Sequence, residues 1–258
     1  LAITILGVIA LCLCGMPLFD SLCTTFGSVG TGGFGIKNSS IGGYSPLIQN
    51  AVTGLMILSG VNYTIYFCLL SKQFKEAFSI EEVRWYFVII LVSALTIAWN
   101  VRPLYATLGE TLRHSFFQVG TIITTTGFAT TDFNMWPQLS KTILLLLMMI
   151  GACAGSTGGG MKVSRVLILF KAIRKELSMM IHPRMVKKIK MDGHNLSHET
   201  LRSTNVYMTA YFIVLFVSLL IVSLDEYDLT TNFTAVLATL NNIGPGLELV
   251  GPTQNFAL

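Results

Sequence analysis

The chain has 258 residues, of which 52% are hydrophobic and 12% are charged, with a mean hydropathy of +0.66 and a formal net charge of +4. A soluble domain carries about 25% charged residues, so this composition excludes an ordinary soluble enzyme or binding domain and indicates a multi-pass membrane protein. Lysine and arginine cluster in residues 72–84 and 162–202, and the positive-inside rule assigns both stretches to the cytoplasmic side. We therefore expect a protein of the plasma (inner) membrane, embedded in the lipid bilayer.

The first predicted unit covers residues 1–71 and is interpreted as lacking its start. An apolar run to about Met16 precedes a short predicted helix over residues 21–30. The loop TGGFG, Thr31–Gly35, follows this helix. A transmembrane helix needs about 20 apolar residues, and one is predicted over residues 46–70.

The second predicted unit covers residues 72–180 and repeats the same order. A span over residues 83–99 comes first, and a short helix lies within residues 104–124. The loop TTGFA, Thr125–Ala129, ends that short helix, and a further span begins at Leu139. The repeated order predicts that the two units share one architecture.

The third predicted unit, residues 201–258, is interpreted as lacking its end. A cytoplasmic basic connection, residues 181–200, leads into it. Its predicted span covers residues 205–224, its short helix covers residues 229–241, and its loop is NIGPG, Asn242–Gly246. Part of the same architecture therefore appears a third time.

The three glycine loops form the candidate ion site. Irregular backbone at membrane depth is tolerated only inside protein or along a water-filled cavity, and rings of carbonyl oxygens can replace the hydration shell of a cation. Glycine at the centre of each loop accepts the positive φ that inward-turned carbonyls require. One such loop could be an ordinary glycine turn, but three at equivalent positions favour a selectivity filter. The candidate filter residues are Thr31, Gly32, Gly33, Thr125, Thr126, Gly127, Asn242, Ile243 and Gly244.

Two aromatic residues follow the central glycines of the first two loops. Phe34 and Phe128 lie directly after Gly33 and Gly127. We expect both rings to pack behind their loops and to hold them in shape.

The span that begins at Leu139 is too short to cross the bilayer. Its residues up to Ile150 reach about 18 Å at ~1.5 Å per residue, against a hydrocarbon core of about 30 Å. The small residues Gly151–Gly160 (GACAGSTGGG) follow, and helical character then resumes, with Lys162 and Arg165 on the cytoplasmic side. We interpret the whole as one transmembrane helix broken near its middle by a flexible insert, which must be buried in protein or line a cavity.

Four sequence motifs carry a family resemblance. TGGFG (31–35) resembles a degenerate form of the potassium-channel filter TVGYG. The segments TIITTTGFATTDF (121–133), GACAGSTGGGMKVSR (151–165) and TLNNIGPGLELVGP (239–252) resemble the Trk/Ktr/HKT superfamily of potassium uptake proteins, and within it the bacterial TrkH-type membrane subunits. The resemblance implies an all-α membrane protein with repeated helix–pore helix–filter loop–helix units around a pseudo-tetrameric, potassium-channel-like pore. This chain would supply the second, the third and part of the fourth repeat.

The resemblance also implies roles for residues and partners for the protein. It implies that potassium is the transported ion, that Gly33, Gly127 and Gly244 are the filter glycines, and that the glycine-rich insert is an intramembrane gate. It further implies a cytosolic nucleotide-binding regulatory subunit of the TrkA/KtrA kind and a homodimer. The candidate gate residues are Gly151, Gly155, Ser156, Thr157, Gly158, Gly159 and Gly160.

The basic cytoplasmic segment has two compatible interpretations. Its positive side chains form either a solvated face beside lipid headgroups or a docking surface for the regulatory subunit. These residues are Lys171, Arg174, Lys175, Arg184, Lys187, Lys188, Lys190 and Arg202.

Two other functional classes compete with an ion pore. A secondary transporter coupled to protons or sodium, with a midplane binding site, would explain the broken helix but not three pore-helix units. A membrane enzyme would need a base beside Ser156, and His114 is the only histidine outside the cytoplasmic stretch. We therefore expect no catalytic residue, no bound cofactor and no nucleic-acid partner. Potassium or sodium as the preferred ion is left open, and we expect weaker discrimination against sodium than in tetrameric potassium channels because no loop has the complete TVGYG sequence.

Overall fold

The structure, a computed structural model, describes residues 1–74, 79–182 and 188–254. Within these residues the chain is mostly helical, and its β-structure is a single two-stranded hairpin. The predicted all-α class is therefore confirmed.

The first unit contains four helices. Ser45 accepts a hydrogen bond from the N–H of Ile48, and Pro46 occupies the first helical position of the third helix, where its missing N–H costs nothing. Helices α1, α2, α3 and α4 cover Ala2–Leu13, Leu18–Val29, Pro46–Ser59 and Thr64–Leu70.

The predicted span over residues 46–70 is not one continuous helix. Helices α3 and α4 meet at a bend of 95°. The residues between them are held by the glycine-rich segment of the second unit: the Gly60 carbonyl accepts a hydrogen bond from the Cys153 N–H at 3.1 Å, and the Tyr63 N–H donates to the Gly155 carbonyl at 3.2 Å. Tertiary hydrogen bonds thus replace those of a continuous helix, and no periodicity in the sequence signals such bonds.

The second unit follows its prediction closely. Its pore-type helix lies within the predicted residues 104–124. It begins at Leu108, because a 3-10 turn precedes it and Thr107 accepts a hydrogen bond from the N–H of Glu110 at 3.2 Å. The predicted break after Ile150 is confirmed, since helical structure resumes only at Val163. Helices α5, α6, α7 and α8 cover Glu81–Val101, Leu108–Ile123, Gln138–Ile150 and Val163–Ile181, with 3-10 turns at Arg102–Leu104 and Phe133–Met135.

The basic connection before the third unit contains a hairpin that the sequence did not predict. The long helix of that unit begins seven residues before the predicted residue 205, because Ser197 caps the N–H of Thr200 at 3.1 Å and the first turns extend the helix beyond its apolar run. The basic residues Arg184 and Lys187 lie outside the described residues. Strands β1 (Lys190–Met191) and β2 (His194–Asn195) pair antiparallel, helices α9 and α10 cover His198–Val222 and Leu229–Leu240, and 3-10 turns cover Ser223–Asp225 and Glu248–Val250.

Two apolar clusters hold the units together. The larger one joins α5, α6, α7, α9 and α10 around fully buried residues such as Tyr86, Ile122 and Leu144. The smaller one joins α1, α3 and α6 around Val52 and Phe117. Both clusters include α6 and the larger one includes α10, so these two pore-type helices are packed inside the bundle.

Long apolar helices form the outer layer of the molecule. Among the described residues, the stretches Glu81–Leu104 and His198–Asp225 are long and apolar enough to cross a membrane. Large side chains on them, including Leu91, Ile213 and Phe216, are exposed. Such apolar surfaces suit contact with lipid rather than with water. This pattern agrees with the predicted membrane location.

Candidate functional site

All three glycine loops begin with the same helix-ending motif. The first loop residue, Thr31, Thr125 or Asn242, takes a positive φ of 51°, 57° or 55°. This is the left-handed position of a Schellman motif, in which the next N–H bonds back to a carbonyl five residues earlier. The three bonds join Gly32 to Gly27 at 2.8 Å, Thr126 to Thr121 at 2.9 Å, and Ile243 to Ala238 at 2.8 Å.

The left-handed backbone at these first positions was missed in the sequence. Positive φ was expected only at the central glycines, yet two threonines adopt it as well. Asn242 was the available signal, because asparagine tolerates this region better than other non-glycine residues. Packing of the loop against its own helix end imposes the conformation on Thr31 and Thr125, which are fully buried.

The central glycines bring neighbouring loops into contact. Gly33 and Gly127 have φ of 64° and 92°. A Cβ atom on Gly33 would lie 1.8 Å from the carbonyl oxygen of Thr126, and one on Gly127 would lie 2.1 Å from the carbonyl oxygen of Ile243. The carbonyl of each later loop therefore faces the glycine of the loop before it, and the loops adjoin in chain order. Gly244 has the same conformation, with φ of 101°, and no described residue within 4 Å of its Cβ position.

Hydrogen bonds beyond the loops follow the same order. The carbonyl of Ala129 accepts from the N–H of Ile41 at 3.0 Å, and the N–H of Ala129 donates to Ser40 Oγ at 3.1 Å. The side chain of Asn134 accepts from the N–H of Glu248 at 2.9 Å and donates to its carbonyl at 3.0 Å. The turn after each loop thus holds the exit of the next loop.

The two aromatic residues after the glycines behave differently. Phe128 is fully buried and belongs to the smaller apolar cluster, where its ring end lies 3.0 Å from a Cβ position on Gly27 of α2. The prediction that Phe34 packs in the same way is wrong, because its side chain is 85% exposed. Phe128 packs against the preceding unit, and the described residues provide no such unit for Phe34.

The glycine-rich segment lies directly beneath the loops and touches the ends of all three pore-type helices. The N–H of Gly159 donates to Thr125 Oγ1 at 2.6 Å, just after α6. A Cβ on Gly159 would lie 2.0 Å from the Asn241 carbonyl oxygen at the end of α10. Thr157 Oγ1 donates to the carbonyl of Val29, the last residue of α2, at 2.9 Å. The carbonyl ends of the three helices therefore converge on one segment.

The segment leaves and re-enters helical structure at nearly the same point. A Cβ on Gly160 would lie 2.7 Å from the Cα atom of Gly151. The N–H of Lys162 donates to the Ile150 carbonyl at 2.9 Å, and the N–H of Met161 donates to Met149 at 3.1 Å. The insert is therefore a closed loop whose two ends meet between α7 and α8.

Both predicted basic residues at the end of the segment contact its backbone. The ammonium of Lys162 donates to the carbonyl of Gly158. The guanidinium of Arg165 donates to the Met161 carbonyl at 3.2 Å and lies 3.9 Å from the ring centre of Tyr207. These charges therefore hold the segment to α8 and α9.

An acidic residue that the sequence analysis passed over also binds the segment. Glu82, at the start of α5, is only 3% exposed, and its Oε1 atom accepts hydrogen bonds from Ala154 and Ser164. In the sequence, the indication of this role was a glutamate in the first turn of an apolar helix. Its partners, however, lie 72 and 82 residues away in the chain, so only the tertiary structure reveals them.

Neither an enzyme nor a resident metal centre has structural support. The Ser156 hydroxyl donates to the Cys153 carbonyl at 2.6 Å, so it is engaged with the backbone of its own loop. In the part of the chain that the structure describes, no cluster of three or more His, Cys, Asp or Glu side chains could hold a metal. Backbone carbonyls and hydroxyls are the polar groups that the site offers.

Comparison with known proteins agrees with this geometry. Residues 1–256 match the family model TrkH, described as a cation transport protein. The chain is 37% identical to the Trk system potassium uptake protein TrkH of Salmonella typhimurium, over 99% of this chain and 53% of that protein. It is 33% identical to TrkG of Escherichia coli, over 91% of this chain and 49% of that protein.

A solved structure shares the fold. The crystal structure of the potassium transporter TrkH from Vibrio parahaemolyticus matches with a TM-score of 0.92 and 31% identity, covering 100% of this chain and 56% of that one. The chain thus spans about half the length of the relatives that it matches. These relatives are named as potassium uptake and transport proteins rather than as enzymes, and the chain belongs to the TrkH family of cation transport proteins.

Proposed function

We propose that this chain forms the ion-translocating part of a Trk-type potassium uptake subunit. Its relatives are named potassium uptake proteins. The observation that carries the proposal is the stacking of the glycine loops, in which the Thr126 and Ile243 carbonyls face the central glycines of adjacent loops. A potassium ion that loses its water needs a ring of oxygens in return, and three such loops supply most of one. Residues 1–71, 72–180 and 201–258 would then be pore repeats.

The loops attract a cation without an acidic side chain. Helices α2, α6 and α10 end at Val29, Ile123 and Leu240, just before the three loops. The C-terminal end of a helix carries a partial negative charge. The filter sequences contain no aspartate or glutamate. Peptide dipoles therefore supply the field, and a monovalent ion bound by dipoles can leave more readily than one bound by full charges.

We further propose that residues 151–160 gate the pathway. The segment contacts the ends of three pore-type helices through Gly159 and Thr157. Its glycines lower the cost of changing backbone conformation. An ion that leaves the loops towards the cytoplasm would then meet this segment, and its contacts with the helix ends support the proposal.

The whole protein is proposed to act with partners. A cytosolic nucleotide-binding subunit of the TrkA/KtrA kind and a second copy of the protein are the expected ones. Exposed basic residues of the cytoplasmic segment, such as Arg174, Lys188 and Arg202, remain available for docking. Lys171 is not available for docking, since it is bound to Glu81 and to the Lys190 carbonyl.

Ion-coupled symport is the second candidate. Two breaks in helical structure, after Ser59 and after Ile150, meet at the glycine segment. Broken helices that meet in the membrane are typical of binding sites in secondary transporters. Fixed stoichiometric coupling of potassium flux to protons or sodium, measured in proteoliposomes, would favour this candidate over a pore.

Uptake by living cells tests the main proposal. The full-length protein is expressed in cells that lack their own potassium uptake systems, and growth is followed at low potassium. We expect growth rescue together with rubidium uptake. A correctly inserted protein that gives neither would contradict potassium transport.

A further inference from the structure

One buried carboxylate holds both ends of the glycine segment. Glu82 Oε1 accepts a hydrogen bond from the N–H of Ala154 at 2.6 Å and from the N–H of Ser164 at 3.0 Å. Ala154 lies near the start of the segment, and Ser164 lies just after its end. A single side chain of α5 therefore joins the two ends of the glycine segment.

The second of these bonds takes the place of a helix cap. The N-cap residue of α8, Lys162, has a φ of 75° and makes no side-chain capping bond. The first N–H groups of a helix need acceptors, and the positive end of the helix dipole favours an anion there. Glu82 supplies both from a neighbouring helix. Hydrogen bonds to a charged acceptor are also stronger than neutral ones.

The preceding residue, Glu81, binds the cytoplasmic hairpin. Its carboxylate pairs with Lys171 of α8, which also donates to the Lys190 carbonyl of β1 at 2.8 Å. The N–H of Glu81 donates to Asp192 Oδ1, in the hairpin turn, at 2.6 Å. Two adjacent glutamates in one helical turn therefore contact the hairpin on one side and the glycine segment on the other.

We propose that the Glu81–Glu82 pair is the link through which the cytoplasmic hairpin holds the glycine segment against the pore-type helices. Glu82 is the positioning residue for the segment, and Glu81 ties that residue to the hairpin. A cytosolic partner that moves the hairpin would loosen the Glu82 contacts and release the segment. The inference rests on the proposed gating role of residues 151–160.

Cys153 provides a test that requires no ion transport. This residue is fully buried and directly precedes Ala154. In the full-length protein, with every other cysteine replaced by serine, the rate at which a charged methanethiosulfonate reagent modifies Cys153 from the cytoplasmic side reports release of the segment. We expect Glu82→Ala to raise this rate about tenfold or more, as expected for losing two charge-assisted hydrogen bonds.

A milder variant and a matched control make the result decisive. Glu82→Gln keeps the shape of the side chain and should give a rise of about three- to tenfold, because neutral acceptors bind N–H groups less strongly. Glu176→Ala removes an acidic residue from the exposed side of α8, where it pairs with Lys175, and should change nothing. If Glu82→Ala does not fold, the Glu82→Gln protein tests the role of Glu82 instead. An unchanged rate of Cys153 modification in a folded Glu82→Gln protein overturns that role.

Two further variants test the link to the hairpin. Glu81→Gln removes the ion pair with Lys171, and Asp192→Ala removes the acceptor for the Glu81 N–H. Each should raise the Cys153 rate by a smaller factor, about two- to fivefold, since Glu82 remains in place. Unchanged rates in both would overturn the hairpin link. If the parent protein gives no potassium uptake while these modification rates are as expected, the proposed function is contradicted and the link stays intact.

Discussion

Gly127 leaves no room for a side chain, and this has a measurable consequence. Replacement by alanine would place a Cβ 2.1 Å from the Ile243 carbonyl oxygen and would strain a residue with φ of 92°. Backbone strain and overpacking each cost about 1–3 kcal/mol. We therefore expect Gly127→Ala to lower the initial rate of rubidium uptake about tenfold or more, or to relax ion selectivity, with normal membrane expression.

Gly54 is the matched control for this prediction. It lies within α3, with open space around its Cβ position and an ordinary helical backbone. Alanine is favoured over glycine in a helix by about 1 kcal/mol, so Gly54→Ala should leave uptake unchanged. Equal uptake and selectivity in the Gly127→Ala protein and the control would contradict the filter assignment.

The stability of the pore-type helix α10 depends on pH through its N-cap residue, Asp228. Hydrogen bonds from the side chain and backbone of Thr231 lower the pKa of the Asp228 carboxyl. Because the folded-state pKa lies below the unfolded value of about 3.9, the stabilisation is present above that value and is lost as pH falls through the folded pKa.

Replacing this cap should therefore destabilise the protein at pH values above the unfolded pKa, and less where the carboxyl of the folded protein is protonated. We expect Asp228→Ala to cost about 0.5–2 kcal/mol, as for other N-caps, and to lower the midpoint of thermal unfolding in detergent. The difference from the parent protein should shrink as the pH drops towards 3. Asp225→Ala, three residues earlier in the chain, is the control, and a similar loss in both proteins would argue against capping by Asp228.

At the scale of elements, the glycine segment is held in place from several sides. It contacts α2, α6 and α10 above it, and it contacts the break between α3 and α4 through Gly60 and Tyr63. If these contacts hold a gate, removing the segment should open the pathway. Deletion of Gly155–Gly160 is expected to raise potassium flux in proteoliposomes several-fold. Unchanged flux would remove the gating role and leave the filter proposal standing.

The elements also show which predictions the sequence supports best. Apolar length and composition predicted the span that became α5, and the shortness of the run from Leu139 predicted the break after Ile150. The same reasoning failed for residues 46–70, because that stretch is apolar throughout and the bend depends on hydrogen bonds from Cys153 and Gly155. A pattern local to one segment cannot reveal a partner that lies far along the chain.

At the scale of the whole molecule, the loops are similar but not identical. Only the central glycine is common to all three loops, TGGFG, TTGFA and NIGPG. Their carbonyls therefore cannot form the uniform rings of a channel with four identical loops. We expect weaker discrimination between potassium and sodium than in such channels, measured as inhibition of rubidium uptake by increasing sodium. Discrimination equal to that of a TVGYG channel would contradict this expectation.

The amino-acid sequence by itself determined the helical class, the membrane location and the break in helical structure after Ile150. It also determined that a short helix followed by a glycine loop occurs three times. These follow from hydropathy, charge and glycine placement, which act over a few residues at a time. Only the tertiary structure decided that the Thr126 and Ile243 carbonyls face the preceding glycines, that Phe34 stays exposed, and that Glu82 closes the glycine segment. The reason is physical: these contacts join residues tens of positions apart, and their energy exists only once packing has brought the helices together.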